Sequence, residues 1–333
     1  MESNLSTPGT QGGRAGMLLE QLRKYVIFLV LLLCIAVFGV LNPKFLSVNN
    51  ILNILWQNSH LVVASLGMGV LVISGATDLS AGYSISIGGS LAAACMMWWG
   101  LPIWVAVAAG IAVCILLSLV NGLLSIKLKI NSLMVTLGTM TVYSGISNTF
   151  TQQKAIFGLP DAFKFIGQGS LFGAIPLPAL VMAVIALLIH FMLKKTYFGR
   201  YVYAVGSNME AARLAGIAVQ KTKLTVFAIG GLLFGISAIM LTARSGSANA
   251  SMAAGTEFTS LTAAVLGGVA IQGGEGKVLN VVVAAFILGI LANGMQLIGL
   301  GTYAQNIAKG TILVAAMGFD TWQRGRTVRL RRA

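Results

Sequence analysis

Long apolar runs, separated by short polar stretches, dominate the chain from residue 25 onward. A helix that spans a membrane needs about 20 mostly apolar residues, with a range of about 17–25. Eight runs have this character: 25–41, 55–74, 83–99, 103–126, 176–193, 224–243, 278–299 and 303–320. Two more segments are less clear, because 132–151 is rich in Thr and Ser and 259–273 is short. Together they predict about ten transmembrane helices.

The composition places the chain among all-α integral membrane proteins. Of its 333 residues, 57% are hydrophobic and 9% are charged, whereas a soluble domain has roughly 25% charged residues. The net charge of +14 does not indicate a nucleic-acid partner, because the basic residues lie between apolar runs, as in a membrane protein. The three cysteines fall within apolar runs and give neither a disulfide framework nor a metal site.

The positions of the basic residues predict the orientation of the spans. With the N-terminus inside and ten spans, 17 of the 22 basic residues lie in cytoplasmic segments, as the positive-inside rule requires. Leaving out both unclear segments would move the basic loop 194–223 to the outside. We therefore expect two cytoplasmic termini, with a disordered tail over 1–24, a transmembrane domain over 25–322 and a basic tail over 323–333.

One segment of the 194–223 loop has the pattern of a short capped helix. Ser207 and Glu210 have capping-box spacing, in which the Ser oxygen accepts from a backbone N–H and the Glu reaches back. Gly216 is a natural stop, because glycine adopts the left-handed cap conformation without steric cost. The pattern predicts a cytoplasmic helix of about two turns, and such a helix indicates a docking site for another protein.

Two acidic residues lie at membrane depth, each after Gly-containing irregular sequence and before an apolar helix. Asp78 and Glu257 would cap the free N–H groups of those helices and favour the positive end of the dipole. A second interpretation is that they line or gate a polar pathway, because ionisable groups inside a membrane usually face the protein interior. The predicted topology puts Asp78 near the cytoplasm and Glu257 near the outside, so we expect no shared ion site.

Polar residues next to or within apolar spans are further candidates for the lining of a pathway, with hydrogen bonds between helices as the alternative role. These residues are Ser80, Asn121, Thr136, Thr139, Asn293 and Gln296. A faint internal repeat indicates two related halves, a common build for transporters. A Gly-Gly pair followed by an Asn-Gly pair occurs at 88–89 and 121–122 and again at 267–268 and 293–294. Both copies start inside in the predicted topology, so we expect a parallel repeat.

The chain carries no complete nucleotide-binding loop. The nearest string, from Gly273 to Val278, lacks the first Gly and has Val where a Ser or Thr would ligate Mg²⁺. No nucleophile–base pair or dinucleotide fingerprint is present, so we expect neither enzyme activity nor a cofactor bound by this chain. A transporter that borrows its ATPase, with ATP and Mg²⁺ on that partner, explains both this absence and the docking helix.

Several motifs follow one another in a specific order. The segment 210–216 reads Glu-Ala-Ala-Arg-Leu-Ala-Gly, and Thr-Tyr-Phe-Gly-Arg precedes it at 196–200. Asp-Leu-Ser-Ala-Gly at 78–82, Thr-Leu-Gly-Thr at 136–139 and Gly-Thr-Glu-Phe at 255–258 complete the set. In this order, the motifs resemble those of bacterial ABC-importer permeases for the monosaccharides ribose, arabinose, galactose and xylose.

The resemblance implies a type II permease that forms a homodimer in the inner membrane and works with an ATP-binding subunit and a periplasmic sugar-binding protein. It also implies that one set of residues contacts the ATPase: Ser207, Asn208, Glu210, Ala211, Ala212, Leu214 and Gly216. Segments 128–133 and 304–320 favour L-arabinose or a similar aldose, whereas 77–82 is reminiscent of galactose permeases. A permease for branched-chain amino acids or nucleosides and an ion-coupled secondary transporter are the alternatives.

Overall fold

The structure of the chain, a computed structural model, describes residues 12–171, 173 and 175–332, and the side chains of 27–171, 173 and 175–318. Its α-helices are α1 (Gly12–Leu41), α2 (Val48–Ile73), α3 (Ala81–Met97), α4 (Ile103–Leu128), α5 (Ser132–Thr151), α6 (Asp161–Gln168), α7 (Leu177–Lys195), α8 (Tyr197–Ser207), α9 (Met209–Leu214), α10 (Val219–Ser245), α11 (Thr256–Leu266), α12 (Val278–Leu297) and α13 (Thr302–Arg332). A 3₁₀ turn at Pro43–Leu46 follows α1. Strands β1 (Ser170–Leu171) and β2 (Ile175–Pro176) pair antiparallel between α6 and α7.

Five of the described helices, α2, α4, α7, α10 and α12, are long and apolar enough to cross a membrane. Shorter apolar helices are α3 and the part of α1 from Ile27 to Leu41. These helices confirm a mainly helical chain with several apolar spans. The finer count of ten spans stays a prediction, because α5 occupies the Thr- and Ser-rich segment and α11 has only 11 residues. An 11-residue helix rises about 16 Å, which is about half of the hydrocarbon core of a bilayer.

Some helix boundaries differ from those that the apolar runs predict. α1 begins at Gly12, within the tail that the sequence marks as disordered, while residues 1–11 lie outside the described part of the chain. α13 continues to Arg332, through the predicted basic tail. The runs also do not predict α6 and α8, because both helices are short and have apolar residues on one side only.

Two short helices mark opposite ends of the bundle. α10 begins beside α9 and ends at Ser245, where Gly167 of α6 lies against the backbone of Ala243 and Arg244. We name these ends the α9 face and the α6 face. α4 runs from the α6 face to the α9 face, and α12 runs in the opposite direction.

α3 and α11 begin in the interior of the bundle and run towards opposite faces. The carboxylate of Glu257, in the first turn of α11, touches Gly82 of α3 so closely that no Cβ would fit there. Beside this contact, the N–H of Ala253 donates to Ser86 Oγ at 3.1 Å. From their meeting point, α3 leads to the α6 face and α11 leads to the α9 face.

This arrangement corrects two expectations from the sequence. Glu257 lies in the interior against Gly82 and not near the outside, while Asp78, four residues before Gly82, lies on the side of this contact where α2 ends. Asn121 lies on α4 and Asn293 on α12, so the two segments of the suggested repeat run antiparallel. The first error arises because the predicted topology treats 259–273 as a full span, whereas α11 crosses only half of the bundle. The second arises because the expectation of a parallel repeat overlooks that the ten-span topology itself runs 103–126 and 278–299 in opposite directions.

Close contacts through glycine hold the central helices together. α10 packs on α4 where a Cβ at Gly231 would lie 2.7 Å from both the carbonyl oxygen of Cys114 and the Cα of Ile115. Gly88 of α3 and Gly110 of α4 face each other in the same way, since a Cβ on either would lie 2.7–2.9 Å from the other's carbonyl oxygen. Small residues permit this approach in a membrane, where no hydrophobic force draws helices together.

We expect Gly231→Ala to destabilise the protein, because the added methyl group meets backbone atoms of α4 that cannot move aside. Such overpacking typically costs about 1–3 kcal/mol. The measurement is the midpoint of thermal unfolding of the purified protein in detergent. Gly318→Ala on α13 is the matched control, since nothing lies within 4 Å of its Cβ position. Equal midpoints for the two variants would contradict the packing role of Gly231.

Candidate coupling surface, buried network and cavity

The predicted docking helix is present as α9, but its N-cap differs from the prediction. The cap is Asn208, whose Oδ1 accepts a hydrogen bond from a backbone N–H of the first turn at 2.9 Å. Ser207 is the last residue of α8, and Glu210 forms an ion pair with Arg213 instead of reaching back. The prediction of a capping box formed by Ser207 and Glu210 is therefore wrong. α8 extends through Ser207, so the N-cap of α9 is the next residue, Asn208.

The C-terminus of α9 closes at Gly216, as the sequence predicts. Gly216 has a φ of +82°, in the left-handed region that glycine tolerates. Its N–H donates to the carbonyl of Arg213 at 3.0 Å, and the N–H of Ile217 donates to the carbonyl of Ala212 at 3.0 Å. These two bonds form a Schellman motif, which ends the helix and directs the chain into α10.

α9 exposes most of the residues that the sequence assigns to coupling. Exposed are Ser207, Asn208, Glu210, Ala211, Leu214 and Gly216. Ala212 is buried and anchors the helix. Leu214 is 80% exposed and lies next to the ion pair of Glu210 and Arg213. Met209, at the start of the helix, is 50% exposed, so α9 presents two large apolar side chains to the solvent.

The corner between α7 and α8 explains the Thr-x-x-Gly-Arg motif. Thr196 Oγ1 caps α8 by accepting a hydrogen bond from the N–H of Gly199 at 3.1 Å. Gly199 lies directly against the carbonyl of Leu193, where a side chain would not fit. The guanidinium of Arg200 lies 4.2 Å above the centre of the Tyr197 ring. These contacts fix the direction in which α8 leads towards α9.

Backbone contacts attach the end of α8 to the spans. The carbonyl of Ile73, at the end of α2, touches Gly206 so closely that no Cβ would fit. The same carbonyl accepts a hydrogen bond from the N–H of Gly274 at 2.8 Å. Tyr203 Oη adds a bond to the carbonyl of Gly276 at 2.9 Å. We name the contact of Ile73, Gly206 and Gly274 the glycine junction, since it joins α8, α2 and the loop before α12 through backbone atoms.

A cavity of about 530 Å³ lies behind α9. The turn between α4 and α5 and the first turns of α10 form its other walls. Lys129, Arg213 and Lys223 line it, and Glu210 is the acid among its lining residues. On this side α9 therefore rests over open space and not over a filled core.

The buried carboxylate of Asp78 is the centre of a hydrogen-bond network that joins α3, α4 and α5. Its Oδ1 accepts from Ser80 Oγ at 2.6 Å, from the Ser80 N–H at 3.0 Å and from Asn121 Nδ2 at 3.1 Å. Ser118 Oγ donates to Oδ2 at 3.3 Å, and Tyr143 Oη donates to Asn121 Oδ1 at 3.1 Å. Asp78, Ser80 and Asn121 are each 0% exposed. The network therefore has a structural role, with the turn before α3 fixed to two neighbouring helices.

Four of the remaining pathway candidates form their hydrogen bonds outside this network or are exposed. Thr136 and Thr139 donate to carbonyls of their own helix, at 2.8 and 3.4 Å. Asn293 of α12 exchanges two hydrogen bonds with Asn50 of α2, at 3.0 and 3.1 Å. Gln296 is exposed near the end of α12. Three of these four side chains thus bond within the bundle.

Glu257 caps α11, as the first interpretation of this residue predicts. Its two carboxylate oxygens accept the N–H of Gly255, at 3.0 and 3.1 Å. The side chain is buried, with 1% exposure, and lies against Gly82. It therefore satisfies a backbone N–H at the end of α11 that lies in the interior of the bundle.

A cavity of about 700 Å³ lies at the α6 face, between α2, α11, α12 and α13. We name it the α6-face cavity. Its polar lining includes Gln57, Asn58, His60, Arg244, Thr259, Thr262, Asn306 and Lys309. None of the eight pathway candidates from the sequence lines it. Sequence reasoning missed it because its wall comes from elements far apart in the chain, although Lys309, a charge within an apolar span, was a signal.

Comparison with known proteins shows which family the chain is similar to. The model of the family described as "Branched-chain amino acid transport system / permease component" matches residues 50–317. The ribose import permease protein RbsC of Haemophilus influenzae is 34% identical over 299 residues, which cover 89% of this chain and 92% of that protein. The L-arabinose transport system permease protein AraH of Escherichia coli is 35% identical over 327 residues, with 96% and 98% covered. The xylose transport system permease protein XylH of Haemophilus influenzae is 32% identical over 361 residues, with 90% and 96% covered. No solved structure matches the chain.

We expect Asp78→Ala to lower the thermal stability of the purified protein, because Ser118 and Asn121 lose a buried acceptor. Each buried group left unsatisfied costs about 1–3 kcal/mol. Asp78→Asn keeps one acceptor oxygen and should lose less. Asp161→Ala is the control, since its side chain is 98% exposed and pairs with Lys164 on the surface, where ion pairs contribute little. Unfolding at the same temperature for Asp78→Ala and Asp161→Ala would refute the structural role of the network.

Proposed function

The chain belongs to the family of branched-chain amino acid transport system permease components, and on this basis we propose that it is the membrane-spanning subunit of an ATP-driven monosaccharide importer. Its similarity to ribose, xylose and L-arabinose permeases, over nearly the whole chain, supports a sugar substrate. The observation that carries the proposal is α9, an exposed helix that is capped at both ends and follows the glycine junction. A separate ATP-binding subunit would dock there and hydrolyse the ATP, since this chain has no complete nucleotide-binding loop.

A displacement of α9 has a direct route to the spans. ATP-driven closure of two ATPases would move one α9 from each permease copy towards the other. α8 touches α2 and the loop before α12 at the glycine junction through backbone atoms, so this movement passes to both helices. The open space behind α9 leaves room for the displacement. Such coupling requires that the spans have two alternative conformations. The ATPase site and the sugar site must each bind these two conformations with different affinity.

The proposed substrate is a pentose or hexose that a periplasmic binding protein delivers, with L-arabinose or a similar aldose favoured. The segments 128–133 and 304–320 support L-arabinose, while the 35% identity to an L-arabinose permease and the 34% identity to a ribose permease support an aldose in general. In this proposal the α9 face is cytoplasmic, both termini are cytoplasmic and about ten segments cross the inner membrane. The α6 face then receives the binding protein.

We propose further that two copies of the chain meet along α5. The side of α5 that faces away from α3 and α4 exposes Gly138, Thr141, Gly145 and Thr149. Nothing lies within 4 Å of a Cβ at either glycine. α5 also exposes large apolar side chains such as Met134, but α7, where Leu187 is 69% exposed, contains no glycine. Glycine and threonine give little contact with lipid chains but let two helices approach closely.

Charge changes on α9 test the docking of an ATPase. We expect Glu210→Lys to reduce uptake of L-arabinose, ribose or xylose by more than about tenfold, which equals a loss of about 1.4 kcal/mol of contact energy. The amount of protein in the membrane should not change, because this side chain is 62% exposed. The measurement is uptake of radiolabelled sugar by cells that also hold the ATPase and the binding protein.

The reversed pair Glu210→Arg/Arg213→Glu is the matched control. It restores the ion pair within α9 but not the charge pattern that a partner meets, so uptake should stay low. Recovery of uptake in the reversed pair would assign the defect to the stability of α9 and refute docking through Glu210. Uptake of leucine or a nucleoside, and of no sugar, by the unsubstituted chain would refute the monosaccharide proposal.

Cysteine cross-linking tests the interface along α5. In a chain whose three native cysteines are replaced by Ala, we expect Gly145→Cys to form a disulfide-linked dimer on oxidation, because equivalent positions of two copies face each other. Leu187→Cys on α7 is the control and should stay monomeric. Dimers from Leu187→Cys, and none from Gly145→Cys, would place the interface elsewhere.

A further inference from the structure

Two cations line the α6-face cavity, and neither has an acidic partner among the side chains that the structure describes. Arg244, at the end of α10, and Lys309, in α13, both contribute to the wall. Among the described side chains, the ion pairs within 4 Å are Lys164 with Asp161 and Arg213 with Glu210. No carboxylate therefore neutralises either cation of the cavity within the described residues. Arg244 Nη1 instead reaches the backbone carbonyl of Gln57 at 3.5 Å.

Neutral polar groups complete the wall of the cavity. They include the amides of Gln57, Asn58 and Asn306 and the hydroxyls of Thr259 and Thr262. Nδ1 of His60 is buried and has no hydrogen-bond partner among the described residues. These groups match the hydroxyls of a polyhydroxylated solute. The volume of about 700 Å³ lies in the range of small-molecule sites, about 300–1,000 Å³.

The acid nearest in sequence to this wall is turned away from it. Glu257 lies between Thr256 and Phe258, which both line the cavity, but Glu257 itself does not. Its carboxylate bonds the N–H of Gly255 and lies against Gly82 of α3. The buried contact of α11 with α3 thus forms an interior boundary, and the charge that faces the cavity is positive.

We propose that the α6-face cavity receives the uncharged sugar and that Arg244 and Lys309 exclude small cations from it. This inference rests on the proposed function, the import of a neutral monosaccharide across an energised membrane. Such an importer has to admit the sugar without a path for protons, Na⁺ or K⁺. Fixed positive charge in a narrow water-filled space repels cations, while neutral hydroxyl groups feel little repulsion and form hydrogen bonds with the wall.

The expected size of the effect follows from Coulomb's law. In water, a unit charge about 7 Å away changes the local concentration of a univalent ion roughly threefold. The ratio between an anion and a cation then changes roughly sevenfold when one fixed charge is removed. This ratio can be measured at a cysteine in the cavity with two thiol reagents that share a reactive group but carry opposite charges. The ratio of their modification rates reports the ratio of their local concentrations.

The test uses Asn306→Cys in a chain without native cysteines, reconstituted in vesicles. The reagents are the sulfonatoethyl and the trimethylammonioethyl methanethiosulfonates. We expect a higher ratio of anionic to cationic modification rates at this cysteine than at Tyr303→Cys, which is 88% exposed and does not line the cavity. Lys309→Gln and Arg244→Gln should each lower the ratio at the cavity roughly sevenfold. Lys309→Arg, which keeps the charge, and Lys164→Gln, which removes a charge elsewhere on the α6 face, should leave it unchanged.

A second arm tests the passage of sugar. In the assembled importer, modification of Asn306→Cys should block sugar uptake, and modification of Tyr303→Cys should not. Equal ratios at the two cysteines, or a ratio at the cavity that does not respond to Lys309→Gln and Arg244→Gln, would overturn the cation barrier. Uptake that continues after complete modification of Asn306→Cys would overturn the cavity as the route. Neither result would refute the proposed function, because the rate ratio needs no sugar and continued uptake demonstrates an active importer.

Discussion

The glycine junction is the contact on which the coupling surface depends. α9 is six residues long, and an isolated helix of that length is not stable in water. It persists because Asn208 and Gly216 cap its ends and because α8, immediately before it, meets α2 and the loop before α12 through backbone atoms. A side chain at Gly206 or Gly274 would separate these elements, so the position of α9 and the positions of two spans are fixed together.

Among the described side chains, two carboxylates lie in the interior of the bundle, and hydrogen bonds stabilise each of them there. A buried charge is costly unless it is paired or hydrogen-bonded, and Asp78 accepts from Ser80, Ser118 and Asn121. Glu257 accepts from the backbone at the start of α11. Both acids stand where a helix begins within the bundle. Irregular backbone at membrane depth is tolerated only where it is buried in protein or lines a cavity, and these two carboxylates satisfy part of that backbone.

The sequence predicts the elements that depend on local pattern and misses those that depend on distant contacts. Long apolar runs identify α2, α4, α7, α10 and α12, and Gly216 correctly marks the end of α9. The length of α11 was not predictable from hydropathy, since its apolar run continues past Leu266 into the glycine-rich loop. Asn208 replaces Ser207 as the cap only because α8 exists. The α6-face cavity brings together residues from 57 to 314, and no local pattern reports such a site.

A cross-link between α9 and the ATP-binding subunit tests most directly whether α9 is the coupling surface. Leu214 is 80% exposed on α9, so Leu214→Cys, in a chain without native cysteines and labelled with a thiol-reactive benzophenone, should form an adduct with the ATP-binding subunit when the assembled importer is irradiated. Trp104→Cys, at the α6 face and 74% exposed, should form none. We expect the adduct at Leu214→Cys to appear and its yield to change with ATP. Absence of this adduct in an importer that still transports sugar would show that α9 is not the coupling surface.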